Sequence, residues 1–154
     1  MEWNGMPFEP CEQEESFKFT IFAINQGMKN KQEQDAGFLG KTIIDCIQEK
    51  KGQNIVHIDL SKTDNSVCEY FIIAHADSDT QVRAIAKHVE ESLKKKHETR
   101  ALHSEGYENA QWILLDYNSI VVHVFLEQIR EYYKLEELWA DAEIEMISEP
   151  EADF

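Results

Sequence analysis

The most apolar and β-branched stretch of the chain is Gln111 to Glu127, QWILLDYNSIVVHVFLE. Two runs, Trp112 to Tyr117 and Ile120 to Leu126, flank Asn118-Ser119. This is the pattern of a β-hairpin with a two-residue loop, carried by a weaker turn pair than Asn-Gly. The loop sets the register: Tyr117 opposite Ile120, Asp116 opposite Val121, Leu114 opposite His123 and Trp112 opposite Phe125. Because side chains alternate across a sheet, one face carries Trp112, Leu114, Asp116, Val121, His123 and Phe125. The other carries Ile113, Leu115, Tyr117, Ile120, Val122 and Val124 and reads as core. The mixed face fits two situations: a cover of helix from the same chain, or a partly exposed contact surface with aromatics at its centre.

The other elements follow from periodicity. Asp35 opens a helical pattern in which Leu39, Ile43, Cys46 and Ile47 form one stripe, with Lys50 and Lys51 in the last turn and Gly52 as the stop. Asn54 to Leu60 alternates as a strand, SKTDNS is a polar loop, and Val67 to His75 is a strand whose centre is apolar on both faces. Ser78 and Gln81 spell a capping box. Behind it, Val82, Ile85, Ala86, Val89 and Leu93 stripe a second helix that closes on Lys94, Lys95 and Lys96. The macrodipole accounts for those lysines without a phosphate site. Thr99 to Ser104 reads as a short strand and Glu105-Gly106 as a turn. After the hairpin, Ile129, Arg130, Tyr132 and Tyr133 precede a break near Lys134, and Leu135, Leu138, Trp139 and Ala142 follow it. These are two short helices lying across the sheet. The order predicts a single α/β domain with a mixed sheet of about five strands and flanking helices.

Charge changes the picture only at the ends. The 154 residues carry a formal net charge of -15. Met1 to Gly27 holds -4 and Glu143 to Phe154 holds -5, which leaves -6 for Met28 to Ala142. Such a balance excludes a basic nucleic-acid footprint and suits a basic protein partner. Residues 1–30 read as an N-terminal extension, either upstream of a native start at Met28 or a weakly docked tail with an edge-strand patch at Phe17 to Ile24. Residues 31–142 form the domain, and 143–154 read as an acidic disordered tail. Cys11, Cys46 and Cys68 are odd in number and far apart, which predicts a reducing, cytoplasmic location without a disulfide framework. No apolar run reaches a membrane span, and the acidic N-terminus is unlike a signal peptide.

The search for chemistry finds no constellation. Asp59 and Asp64 bracket one loop, and Asp77 and Asp79 lie in another with His75, all at positions where turns favour such residues. The motifs of hydrolases, zinc proteases, P-loops and dinucleotide-binding folds are missing, and neither a metal nor another cofactor is expected. His123, midway along an apolar strand, is the one unusual titratable residue, and its ordinary role there is structural.

The pieces NIVHIDLS, CEYFIIAHADSDTQVRAIAKHVEESL, Glu105-Gly106, WILLDYNSIVVHVF, Arg130, Tyr132-Tyr133 and LEELWADA occur in one order from Phe38 to Ala142. Together they resemble the ribosomal silencing factor family (RsfS, also called Iojap). The resemblance implies a degenerate nucleotidyltransferase-like fold without the metal-binding acids, and a non-enzymatic role. It implies binding to the large ribosomal subunit through its protein numbered fourteen (uL-fourteen). It also implies blocked joining of the small subunit, repression of translation when nutrients are scarce, and a part in subunit assembly. It carries partner contact onto Trp112, Asp116 and Phe125, with Leu114, His123 and Arg130 as weaker positions, and so favours the contact-surface reading of the hairpin face. The chain departs from the family at Ala74-His75-Ala76, where a threonine and a glycine are usual after the alanine, and at Asn118-Ser119, where glycine-aspartate is usual. Asn tolerates the left-handed conformation, so the hairpin is expected to survive. Two further readings stay open: a nucleotidyltransferase-like enzyme using Asp59, Asp64, Asp77 or Asp79 with a metal, and a homodimeric module that buries Trp112 and Phe125 against a second copy.

Overall fold

Helix α1 (Ala36–Glu49) turns the stripe spelled by its sequence inward, with Ile43, Cys46 and Ile47 essentially inaccessible. Its end differs in detail from expectation. Lys51, not Gly52, takes the left-handed conformation, at φ 61°. Gly52 is needed for space: a Cβ there would lie 2.2 Å from the Ile47 Cγ2 methyl. The structure, a computed structural model, describes residues 36–149 apart from 65 and 67. The expectations for the N-terminal extension and for a strand at Phe17 to Ile24 fall outside these residues.

After α1 come β1 (Gln53–Asp59), β2 (Tyr70–Ala76), α2 (Asp79–His97), β3 (His103–Glu105), β4 (Trp112–Asp116), β5 (Ile120–Leu126), α3 (Glu127–Tyr133), α4 (Leu135–Leu138) and β6 (Glu143–Met146). The strands form one six-stranded sheet in the order β3-β4-β5-β2-β1-β6. Among the described strands, only the β2–β5 pairing at the centre is parallel; the others are antiparallel. Parallel neighbours need a crossover, and α2 lies on the chain between them. The central place of β2 accounts for its apolar run, since both of its faces are buried.

Two cores result. Helices α1 and α2 cover one face over Ile72, Ala74, Ile113, Leu115, Val122 and Val124. The opposite core joins Val56, Ile58, Phe71, Trp112, Val121 and Phe125 with Ile129 of α3 and Leu135 of α4. The break between the two short helices falls at Lys134, which is left-handed at φ 47°.

Three expectations are corrected. The sheet has six strands, because Glu143–Met146, expected to be part of a disordered tail, pairs with β1 from Asp59↔Glu143 to Val56↔Met146. The acidic composition masked an alternation of Glu143 and Glu145 with Ile144 and Met146. The third strand covers His103–Glu105 rather than Thr99 to Ser104. Helix α2 runs on to His97, Glu98 caps it in the left-handed region at φ 50°, and Thr99 donates its N–H back to the Leu93 carbonyl at 3.2 Å, which ties the start of the expected strand to the helix end. The capping box is only half made. Gln81 donates its backbone N–H to Ser78 Oγ at 3.2 Å, but its side-chain amide turns to the Lys50 and Lys51 carbonyls. Gln81 therefore ties the start of α2 to the end of α1.

Candidate functional site: the hairpin face

The hairpin forms in the expected register, with Trp112↔Phe125, Leu114↔His123 and Asp116↔Val121. Tyr117 donates its N–H to the Ile120 carbonyl at 2.8 Å, which closes a loop of Asn118 and Ser119. Asn118 is left-handed at φ 71°, a conformation that asparagine accepts more readily than most residues. Asp116 stabilises the turn by accepting the Asn118 N–H at 2.8 Å. At the other end, Gly106 has φ 92°, and a Cβ there would sit 1.9 Å from the Trp112 carbonyl oxygen. The glutamate-glycine turn thus lets the chain pass directly behind the tryptophan.

The six residues singled out in the sequence fall into two groups. Trp112, Leu114, Asp116, His123 and Phe125 share one face, as the alternation required. Arg130 stands apart on α3, over β1 and β2.

The expectation of a partly exposed face is corrected. Trp112 is 3% exposed, Asp116 4%, and His123 and Phe125 0%. The face lies in the core that contains Ile129 and Leu135, with Tyr133 and Trp139 packed at its margin. This is the alternative in which helices of the same chain provide the cover. With it goes the need for a second copy to bury Trp112 and Phe125.

The Trp112 indole and the Asp116 carboxylate on this face find partners within the hairpin. The Trp112 indole N–H donates to His123 Nδ1 at 3.1 Å. An indole nitrogen can only donate, so Nδ1 is the acceptor and the imidazole proton belongs on Nε2. Complete burial pulls the His123 pKa down from 6.5 to about 3. The neutral ring is the partner the indole requires. Around it, Phe71 meets His123 edge-on at 4.8 Å, Phe125 stacks on Trp112 at 4.9 Å, and Tyr133 approaches Trp112 at 5.0 Å. Burial raises the Asp116 pKa above the usual carboxylate value, against the Asn118 N–H and the nearby His103, which favour the anion.

Arg130 organises a second, half-buried network that sequence reasoning missed. Its Nη2 lies 2.6 Å from Glu136 Oε1, and its Nε donates to the same oxygen at 2.7 Å. Its Nη1 donates to the Asn54 carbonyl at 2.6 Å and to His75 Nδ1 at 3.0 Å. Arginine accepts nothing, so His75 must be neutral on that nitrogen. Desolvation, and then the guanidinium, lower its pKa. The departure Ala74-His75-Ala76 therefore supplies a ligand for Arg130. His75 and Glu136 lie 55 and 6 residues from Arg130 in the chain, and only the second spacing could have been read locally.

The four aspartates proposed for a metal enzyme have other roles where their partners are described. Asp59 accepts both the N–H and the hydroxyl of Ser61, at 2.9 and 2.5 Å. Asp77 accepts from Gln53, and Asp79 from the Thr80 N–H and Arg83. Among the described residues, no three His, Cys, Asp or Glu side chains converge as a metal site, and no helix is long and apolar enough to cross a membrane.

Comparison with known proteins adds what geometry alone does not supply. The family model described as ribosomal silencing factor during starvation matches residues 32–153. The ribosomal silencing factor RsfS of Chromobacterium violaceum is 38% identical over 101 residues, covering 66% of this chain and 81% of the relative. That of Bacillus subtilis is 37% identical over 94 residues, covering 61% and 78%. The chloroplastic protein Iojap of Zea mays is 36% identical over 73 residues, 47% of this chain and 31% of the plant protein. A crystal structure of a Chromobacterium violaceum protein matches with a TM-score of 0.65 at 33% identity, covering 75% of this chain and 95% of that one. A crystal structure from Bacillus halodurans matches with a TM-score of 0.62 at 30% identity, covering 73% and 98%. Matched along nearly all of its described length, with the mixed sheet and the hairpin at its centre, this chain belongs to the ribosomal silencing factor (RsfS/Iojap) family.

Proposed function

We propose that this protein represses translation by binding. It docks on the large ribosomal subunit through the protein uL-fourteen, blocks association with the small subunit under nutrient limitation, and serves large-subunit assembly. It acts in the cytoplasm without catalysing a reaction. Family membership carries the reading, since the matching model and the bacterial relatives bear the name of ribosomal silencing factor. The net charge of -15 supports a basic protein as the partner.

The partner-binding set is Trp112, Leu114, Asp116, His123, Phe125 and Arg130. With all six buried, they act as a platform. They fix the angle at which α3 and α4 lie on the sheet, and the partner reads that layer. Tyr132 and Leu138, 49% and 71% exposed, are large apolar groups on the layer's outer side.

Cosedimentation with purified large subunits tests this directly. Wild type is expected in the pellet. Leu138→Asp should bind at least about tenfold more weakly, a loss of about 1.4 kcal/mol, within the range for an interface anchor. Trp112→Leu, checked for folding by circular dichroism, should also weaken binding by disturbing the platform. If both folded variants sediment like wild type, the docking face is elsewhere. If wild type stays in the supernatant, the silencing reading is wrong.

A further inference from the structure

At the edge of the sheet farthest from β3, β6 has one side without a described partner. Ile147 donates its N–H to the Ile55 carbonyl at 2.9 Å, in line with the ladder from Asp59↔Glu143 to Val56↔Met146. Bonded and non-bonded residues alternate in an antiparallel pair. Glu143, Glu145 and Ile147 therefore turn their backbone groups to β1. Ile144 and Met146 turn theirs away from the sheet.

The side chains sort in the same way. Residues directly opposite one another share a face. Ile144 and Met146 lie beside Ile58 and Val56, on the side of α3 and α4, and are 41% and 67% exposed. With Val56 they border a cleft of about 530 Å³ whose other wall includes Glu131, Glu136 and Glu137. Glu143 and Glu145 occupy the opposite face. Glu143 pairs with Lys62 at 3.2 Å, with both side chains largely exposed.

We propose that β6 is a strand-addition site for an extended, basic segment of a partner protein in which apolar residues alternate with lysine or arginine. The outward N–H and C=O groups of Ile144 and Met146 supply the ladder. Apolar side chains of the guest cover Ile144 and Met146 at the cleft, and its cations meet Glu143 and Glu145 on the other face. Charge decides the occupant. In an antiparallel pairing with a second copy of this edge, Glu145 would face Glu145 or Glu143 of the other copy, and like charges directly opposite are destabilising. The same glutamates that repel a second copy attract a basic strand. Two strands, β2 and β1, separate this edge from the hairpin, and its backbone ladder includes no residue of the hairpin face.

Calorimetric titration of the full-length protein tests the proposal. The probe is a synthetic peptide of about nine residues, long enough to span the strand at about 3.3 Å per residue, with valine and lysine alternating. A peptide of the same composition in separate valine and lysine blocks is the control. The alternating peptide should bind at least tenfold more tightly. Met146→Pro removes an outward N–H and no bond to β1, and Glu143→Lys with Glu145→Lys reverses the charge. Each should weaken binding about tenfold while the circular dichroism stays unchanged, and Leu102→Ser, at an exposed position beside β3 on the far edge of the sheet, should leave the affinity as it was. Equal binding of the two peptides, an unchanged affinity in Met146→Pro, or no binding at all would overturn the proposal. So would a dimer in sedimentation equilibrium that Met146→Pro dissociates, because a second copy would then hold the edge.

Discussion

His123 couples packing to protonation. Folded, its pKa is near 3; unfolded, it returns to about 6.5. Between these values the unfolded chain binds the proton and the folded one does not, so stability is complete above about pH 6.5 and is lost as pH falls below it. The loss is at most about 1.4 kcal/mol per pH unit from this group, and His75, whose pKa is also lowered, adds in the same direction. Urea unfolding at pH 7, 6, 5 and 4.5 should show this decline. His123→Gln, which keeps an acceptor for the indole but does not titrate, should show a shallower one. Parallel curves for the two proteins would mean that His123 is protonated alike in both states. The sequence showed that His123 was unusual and on which face it lay. It did not show that the face was dry. A histidine and an aspartate amid aromatics look like a surface until the Trp112 indole and the Asn118 N–H are found to donate to them. The indole bond depends on a distance between strands, which residue types do not encode.

At the scale of elements, period and punctuation carried far. The hairpin register, the stripes of α1 and α2 and the break at Lys134 were all legible, because each is fixed by neighbours a few residues away. The misses lie where a distant element overrides a local signal, as when the Gln81 side chain leaves Ser78 for the end of α1. β6 was hidden because its composition resembles a solvated tail and only pairing with β1 makes it a strand. The Lys134 break offers a test of local conformation. A side chain in the left-handed region costs about 1 kcal/mol relative to glycine, and the Lys134–Glu137 ion pair is exposed, with its charges 3.9 Å apart. Lys134→Gly should therefore raise the thermal midpoint by a few degrees. A lower midpoint would show that the lysine contributes more through its side chain than its backbone costs.

In the whole molecule, one parallel pairing, β2 with β5, joins two antiparallel groups, and α2 bridges them on the α1 side. Mixed topology and helices on both faces followed from the order of elements and from the doubly apolar β2. Strand order did not, since nothing local tells β1 that its outer neighbour lies more than eighty residues on. That neighbour has a consequence for how the protein is made. β6 follows the other described strands in the chain, so it is the last of them to be synthesised. Until it emerges, β1 offers its backbone and the flanking Ile55, Val56 and Ile58 as a bare template, the situation that invites intermolecular pairing. A chain ending at Ala142 should fold around the same two cores yet aggregate on concentration, visible as rising light scattering, whereas the full chain stays clear. If the shortened chain remains monodisperse, β1 needs no such shield. If it aggregates, the acidic β6 segment serves as a chaperone in cis, delivered after the other five described strands.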